Sequence, residues 1–126
     1  MEVQMTGFIF VGLGGAVGAM LRYAISLLPY RGGFPFLTLV TNLCGAVLIG
    51  YIAGTAAQRQ VPPNLVLFLK TGVCGGFTTF STFSLEAYTL MEQGRYGQAG
   101  AYAVLSVVLC LAGVWCGMAL ARGMGR

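Results

Sequence analysis

The sequence has few charged side chains for its length. Of 126 residues, 7 are Lys or Arg and 3 are Asp or Glu, whereas 57 % are hydrophobic. A soluble domain usually carries about 25 % charged residues, so most of the surface of this protein does not face water. Residues 32–58 and 96–121 contain no charged residue, and each run exceeds the roughly 20 residues that cross a bilayer as a helix. The composition predicts a protein embedded in a membrane.

The residues that usually build zinc, redox and acid–base sites are missing. Histidine is absent, and the four cysteines contain no C-x-x-C pair, so a zinc or redox site lacks its usual ligands. No paired carboxylates are present, which argues against an enzyme. The basic residues are scattered rather than clustered, so nucleic-acid binding is not indicated. We expect the cysteines to pack as small apolar residues at helix interfaces: Cys44, Cys74, Cys110 and Cys116.

Four apolar segments are separated by short polar turns. They lie at about residues 7–28, 36–57, 65–91 and 99–121. Three of them contain Gly-x-x-x-Gly spacing, which favours close helix packing in lipid. The sequence predicts an all-α membrane protein of four transmembrane helices, with both termini on one side and a single domain of residues 1–126.

Basic residues are almost evenly divided between the two ends of the predicted bundle. Arg59, Arg122 and Arg126 lie on the side of the termini, and Arg31 and Arg95 lie on the other side. The positive-inside rule then gives no clear orientation. A chain that inserts both ways assembles naturally as an antiparallel homodimer; the alternative is that the small bias still sets one orientation.

The third segment contains an unusually polar stretch, CGGFTTFSTFSLE, at residues 74–86. The adjacent glycines Gly75 and Gly76 predict an interruption of the helix near residues 75–78. Broken backbone at membrane depth is tolerated only where it is buried in protein or lines a cavity. Carbonyl groups freed at such a break suit a small hard cation.

Phenylalanines and hydroxyls alternate after the predicted break. Phe80 and Phe83 are neighbours on one helix face, flanked by Ser81 and Thr82. The positive ring edge of Phe can face an anion, and hydroxyls and the Asn42 amide can replace water that the anion loses. A site without a formal charge binds weakly enough to release its ion. The pattern favours an anion pathway, although aromatics at helical spacing more often serve packing.

Several polar residues in the segments have both a structural and a functional interpretation. Asn42 either bonds a neighbouring helix or donates to an anion. Arg22 either snorkels to the interface or raises the anion concentration in an aqueous vestibule. Glu86 either hydrogen-bonds a hydroxyl or pairs with a basic residue, or it carries protons or cations. The fourth segment adds a stripe that predicts a polar rail along a pore: Tyr102, Ser106 and Cys110.

Over nearly its whole length the sequence resembles the Fluc (CrcB) family of small microbial fluoride channels. The most specific match is the run G-G-F-T-T-F-S-T-F-S at residues 75–84. The run T-L-V-T-N at residues 38–42 also matches. Single matching positions lie in the other segments: Gly14, Gly15, Arg22, Glu86, Tyr102 and Ser106. The chain departs from the family at Cys110, where a Ser or Thr often continues the track.

The resemblance implies a passive channel in the inner or plasma membrane of a microbe, which exports cytoplasmic fluoride and confers resistance to it. It implies an antiparallel homodimer of dual topology with two pores. It also implies a structural sodium ion on the two-fold axis, bound by the backbone carbonyls of Gly75 and Thr78. Arg22 would belong to a vestibule. The implied pore residues are Thr38, Asn42, Phe80, Ser81, Thr82, Phe83, Tyr102 and Ser106.

Two other function classes remain open on the sequence alone. A small proton-coupled transporter of dual topology would have to use Glu86, because the first segment carries no carboxylate. A structural or assembly subunit would tolerate Phe80→Ile and Asn42→Ala with little effect on any flux.

Overall fold

The computed structural model describes residues 2–124 as a bundle of helices. Arg126, one of the charges counted above, lies outside the described residues. Four helical spans in this part of the chain are long and apolar enough to cross a membrane, which confirms the predicted four-helix architecture. The helices are α1 (Glu2–Ser26), α2 (Phe36–Gln58), α3 and α4 within the third span (Pro63–Glu92), and α5 (Tyr96–Met124).

The third span is interrupted, as predicted, but the glycines are not the point of interruption. Helix α3 begins as an α-helical turn (Pro63–Val66), continues as a π-helix (Leu67–Cys74) and ends in the turn Gly75–Phe77. Gly75 has ordinary right-handed helical angles, with φ −63° and ψ −38°. The backbone becomes extended only at Thr78 (φ −83°, ψ 155°) and Thr79 (φ −148°, ψ 111°). Helix α4 (Phe80–Glu92) then starts anew, so two threonines form the break.

Glycines bring the helix backbones into contact in two pairs, α1 with α3 and α2 with α5. A Cβ atom added at Gly14 would clash with the carbonyl oxygen of Phe68, and one added at Gly72 would lie 2.8 Å from the Gly14 Cα. In the second pair, a Cβ at Gly117 would lie 2.6 Å from the backbone nitrogen of Tyr51. These distances are far below van der Waals contact, so the glycines permit an approach that any side chain would prevent.

The outer surface of the bundle is apolar. Phe8 on α1 is 74 % exposed and Trp115 on α5 is 78 % exposed. With no water-facing coat of charge, such a surface belongs in lipid. The chain is therefore a multi-pass membrane protein. Its largest buried cluster lies where α2, α4 and α5 meet: Leu39, Leu90, Ala99 and Tyr102, with Phe34 and Phe83 packed against it.

Candidate functional site

Two side chains from other helices satisfy backbone groups at the break. The Nδ2 group of Asn42 donates to the Thr79 carbonyl at 3.1 Å, and the Thr79 N–H donates to Asn42 Oδ1 at 2.7 Å. The Nε group of Arg22 donates to the Gly76 carbonyl at 3.1 Å. The Thr79 N–H and the Gly76 carbonyl would otherwise lack the i to i+4 partners of a continuous helix, whereas the Thr79 carbonyl, as that of an N-cap residue, already accepts the first hydrogen bond of α4. Asn42 and Arg22 thus replace part of the lost helical hydrogen bonding.

Thr79 caps the N-terminus of α4. Its Oγ1 accepts a hydrogen bond from the Thr82 N–H at 3.0 Å and donates one to Thr82 Oγ1 at 3.0 Å. Thr78 ends α3 in a similar way, because its N–H and its Oγ1 both donate to the Cys74 carbonyl, at 3.0 and 2.9 Å. A Thr that precedes a helix by one residue is a usual N-cap, so the sequence signal for the break lies at Thr79.

An open groove of about 380 Å³ runs along the break. The rings of Phe80 and Phe83 lie on one side of it, with centroids 5.5 Å apart and planes inclined at 45°. Phe80 is 78 % exposed. Ser106 and Cys110 of α5 contribute polar atoms to the same groove. The predicted site residues that line it are Asn42, Gly75, Thr78, Phe80, Phe83 and Ser106.

Ser106 carries a hydroxyl without a protein partner. The side chain is nine-tenths buried and lines the groove. Within the described part of the chain, its Oγ atom forms no hydrogen bond. A buried polar atom without a partner costs free energy, so this hydroxyl is an unsatisfied group beside the groove.

A second, smaller cavity of about 120 Å³ lies between α1, α2 and α4. It contains one guanidinium, that of Arg22, and a set of hydroxyls. Thr79 lines both this cavity and the groove, so the break forms a wall between them. The hydroxyl-bearing residues of the smaller cavity are Tyr23, Ser26, Thr38, Thr41, Thr79 and Thr82.

Tyr102 and Ser81 do not line the groove. Tyr102 is fully buried, and its hydroxyl donates to Glu86 Oε1 at 2.9 Å. Its ring contacts Phe83, with centroids 4.9 Å apart. Tyr102 therefore packs against a residue that lines the groove. Ser81 is exposed, with its Oγ 3.3 Å from Thr79 Oγ1. Glu86 therefore has the hydroxyl partner that the structural interpretation expected.

Backbone carbonyl groups at the break are cation ligands by chemical type. Residues 2–124 contain no group of three or more His, Cys, Asp or Glu side chains that could bind a metal. The carbonyl oxygens of Gly75 and Thr78 receive no side-chain hydrogen bond within the same range, unlike those of Gly76 and Thr79. Gly75 and Thr78 both line the open groove. The break thus has free carbonyl ligands of the kind that suits a hard cation.

Sequence reasoning missed two residues of this region. Phe34, in the loop before α2, contacts the ring of Tyr102 edge-on, with centroids 5.5 Å apart and planes at 77°. Nothing in its local pattern distinguishes it from any loop aromatic. The cap at Thr79 was missed although the sequence carries a signal for it, because the prediction of the break depended on Gly75 and Gly76.

Curated relatives match the chain over almost its full length. A protein of Ruegeria sp. is 48 % identical over 118 residues, which cover 90 % of this chain and 93 % of the relative. One of Roseobacter denitrificans is 44 % identical over 125 residues, covering 95 % and 98 %. One of Methylobacterium sp. is 43 % identical over 124 residues, covering 96 % and 100 %. Each of the three is named a fluoride-specific ion channel, FluC.

A family model also matches the chain. Residues 9–118 fit the model described as CrcB-like protein, Camphor Resistance (CrcB). The matched range includes the second and third spans, the break between α3 and α4, and most of the first and fourth spans. The chain belongs to the CrcB family.

Proposed function

We propose that this chain forms a fluoride-selective channel through which cytoplasmic fluoride leaves the cell passively, so that the cell resists fluoride. The choice of fluoride depends on the relatives, which are named for that ion and share up to 48 % of their residues with this chain. The observation that carries the channel proposal is the groove at the break, whose lining combines Phe80 and Phe83 with Asn42 and Ser106.

The groove has the chemistry of a weak anion site. Among the described residues that line it, none is charged. The rings of Phe80 and Phe83 offer partially positive edges, and the free hydroxyl of Ser106 lies in the same groove. A buried formal charge would bind an anion too tightly for rapid release, whereas dipoles allow both entry and exit.

The ends of the interrupted helices add to this electrostatic arrangement. Helix α4 is 13 residues long and starts at Phe80, beside the groove. Its N-terminal N–H groups give that end a partial positive charge, and half-helix N-termini at membrane depth favour anions. Phe80 and Phe83 lie in its first turns, so the rings and the helix dipole support the same ion.

A proton-coupled transporter that uses Glu86 is not favoured. The carboxylate accepts a hydrogen bond from a fully buried Tyr102. None of the relatives named above is a proton-coupled carrier by name. In this proposal Glu86 holds the Tyr102 hydroxyl and does not carry protons.

Fluoride efflux from liposomes tests the proposal. Purified protein is reconstituted into vesicles loaded with potassium fluoride, valinomycin is added, and external fluoride is followed with an ion-selective electrode. We expect rapid fluoride efflux and no comparable chloride efflux from vesicles loaded with potassium chloride. Phe83→Ile should slow fluoride efflux by about tenfold or more, which corresponds to ~1.4 kcal/mol on the barrier.

The control variant is Phe8→Ile, which changes an exposed aromatic on α1 far from the groove residues. It should pass fluoride as the unaltered chain does. Chloride efflux as fast as fluoride efflux, or no efflux of either ion, would overturn the proposed function. An equal loss in both variants would place the effect on folding rather than on the groove.

We further propose that two copies assemble as an antiparallel homodimer of dual topology. Phe80 is 78 % exposed and the groove is open to the outside of a single chain, so a second copy would close it. The basic residues at the two ends are nearly balanced, which permits both orientations. In cells that express a single-cysteine variant at Gln93, an impermeant maleimide should label about half of the copies from outside. Labelling of nearly all or none would contradict dual topology.

A sodium ion at the break completes the proposal. Gly75 and Thr78 line the groove that a second copy would cover, and their carbonyls receive no side-chain hydrogen bond within the described residues. When bound, the ion would supply a positive charge that neutralises these carbonyl dipoles. The residues themselves end α3 and turn the chain toward α4.

Exchange of sodium for a larger organic cation throughout purification tests this site. We expect fluoride efflux to fall and the dimer to dissociate more readily in detergent, with recovery when sodium is restored. The matched measurement replaces chloride by gluconate at constant sodium, which should change neither property. Unchanged efflux and dimer stability after exhaustive sodium removal would exclude the ion.

A further inference from the structure

A continuous series of aromatic rings connects the surface loop before α2 to the groove. The Phe34 ring contacts Tyr102 with centroids 5.5 Å apart, Tyr102 contacts Phe83 at 4.9 Å, and Phe83 contacts Phe80 at 5.5 Å. Phe34 and Phe83 both pack against the same buried cluster, which contains Tyr102. The loop therefore touches, through one buried ring, the aromatic pair that lines the groove.

The backbone presents Phe34 rigidly. Pro35 follows it, and a residue before proline is largely excluded from helical angles. The Phe36 N–H donates to the Phe34 carbonyl at 2.8 Å, which fixes a tight turn at the start of α2. The side chain is half-buried. Phe34 thus has fewer conformations available than an ordinary loop residue.

Tyr102 transmits the position of Phe34 to Phe83. Its hydroxyl is bound to Glu86 Oε1 at 2.9 Å, and its ring has Phe34 and Phe83 as aromatic neighbours. The other aromatic neighbour of Phe83 is Phe80, which is 78 % exposed and gives little support within one chain. The buried ring in contact with Phe83 is therefore that of Tyr102.

We propose that Phe34 is a positioning residue: it holds the Tyr102 ring against Phe83 and so sets the orientation of the Phe83 ring in the groove. Removing Phe34 leaves a space beside Tyr102, and the Tyr102 ring can tilt into it while its hydroxyl stays on Glu86. Phe83 then loses its flat support and samples more orientations. The consequence for ion flux rests on the proposed function, whereas the effect on the ring does not.

A spectroscopic experiment tests the ring position without any flux. 4-Fluorophenylalanine is placed at position 83 by nonsense suppression, and its ¹⁹F resonance is recorded in the purified protein. Phe34→Leu keeps an apolar side chain but removes the ring and part of the volume beside Tyr102, and it should shift or broaden the resonance. The matched control is Phe36→Leu, since Phe36 contacts Phe34 at 4.7 Å and Tyr30 at 5.9 Å but forms no ring contact with Tyr102. It should leave the resonance where it was.

A double-variant cycle tests the consequence for conduction. Phe34→Leu should slow fluoride efflux by roughly three- to tenfold, the size expected for the loss of one aromatic pair. When combined with Phe83→Ile, it should cause no further slowing, because the ring that it positions is gone. Phe36→Leu should have little effect alone and add none in combination. Phe34→Tyr, which keeps the ring, should restore efflux.

The outcomes separate this inference from the proposed function. An unshifted ¹⁹F resonance in Phe34→Leu overturns the positioning role, whatever the flux. A shifted resonance with unchanged efflux, or independent and multiplying effects of Phe34→Leu and Phe83→Ile, overturns its role in conduction. If the unaltered chain passes no fluoride, the proposed function fails, and the resonance still decides whether Phe34 orients Phe83.

Discussion

The packing of α2 against α5 and the break between α3 and α4 are both rich in glycine, yet they are stabilised in opposite ways. In the first region, Gly50 and Gly117 allow backbone atoms of the two helices to touch, and any Cβ at either position would clash with the facing helix. In the second region, Gly75 has open space around it, with nothing within 4 Å of an added Cβ, whereas a Cβ at Gly76 would lie 3.0 Å from the Gly15 Cα. The stabilising groups there are side chains: Asn42, Arg22 and Thr79.

The difference follows from what each backbone lacks. A continuous helix in lipid satisfies its own hydrogen bonds, so two such helices gain mainly from close packing, and small residues serve that. An interrupted helix has peptide groups without partners, and in an apolar medium each such group is costly. Polar side chains must then come from neighbouring helices. Glycine is therefore required wherever two backbones touch, as at Gly117 and Gly76, whereas the surroundings of Gly75 leave it exchangeable.

The largest expected effect is on the α2–α5 contact. In Gly117→Ala the new Cβ would meet the Val47 carbonyl oxygen and lie 2.6 Å from the Tyr51 nitrogen. The helices would have to separate along this contact, at a cost of about 3 kcal/mol or more. We expect little monodisperse protein, and a thermal unfolding midpoint in detergent far below that of the unaltered chain.

Gly100→Ala is the matched control on the same helix. An added Cβ there meets nothing within 4 Å, and Ala favours a helix over Gly by about 1 kcal/mol. Its unfolding midpoint should be equal or higher. If Gly117→Ala were as stable as Gly100→Ala, the close approach of α2 and α5 would not be what stabilises the bundle.

The second prediction concerns Asn42, whose amide pairs with both polar groups of the Thr79 peptide. Asn42→Ala leaves the Thr79 N–H without a partner at membrane depth, at a cost of about 1–3 kcal/mol, and removes the second bond to the Thr79 carbonyl, which still accepts the first hydrogen bond of α4. The variant should fold but unfold at a clearly lower temperature. Amide hydrogen exchange at Thr79 should accelerate, whereas exchange in the middle of α2 should not.

Cys44→Ala serves as its comparison, because Cys44 lies two residues further along α2 and is exposed. It should match the unaltered chain in stability. Equal stability of Asn42→Ala and Cys44→Ala would mean that the break does not depend on the side-chain pairing, and the contrast between the two regions would fail.

The sequence predicts the helices well because each apolar run is long enough to span a membrane and is bounded by a polar turn. The pairing of α1 with α3 and of α2 with α5 could not be predicted, since Gly-x-x-x-Gly spacing marks a face that packs closely but not its partner. The break was predicted near the correct residues for a different reason. Gly75 and Gly76 are helical, and the extended residues are Thr78 and Thr79.

Local patterns also predict which side chains have the chemistry to bind an ion, but not how far apart these side chains lie. Phe80 and Phe83 are neighbours by helix geometry, and they are found in contact. The partner of Glu86 is Tyr102, sixteen residues away on another helix, and no local pattern indicates that pair. Phe34 contacts the same ring from a loop, so its position depends entirely on tertiary packing.

The smallest of these effects is expected at Thr79, which caps α4 through one hydroxyl. Thr79→Val keeps the shape but removes the acceptor for the Thr82 N–H and the bond to Thr82 Oγ1. Loss of a cap costs about 1 kcal/mol, which is less than the loss of both Asn42 bonds, because the Thr79 peptide itself remains paired. The unfolding midpoint should fall by a few degrees at most, and Thr79→Ser, which keeps the oxygen, should restore most of the loss. A loss in Thr79→Val as large as that in Asn42→Ala would show that the hydroxyl, rather than the Asn42 amide, is the main support of the break.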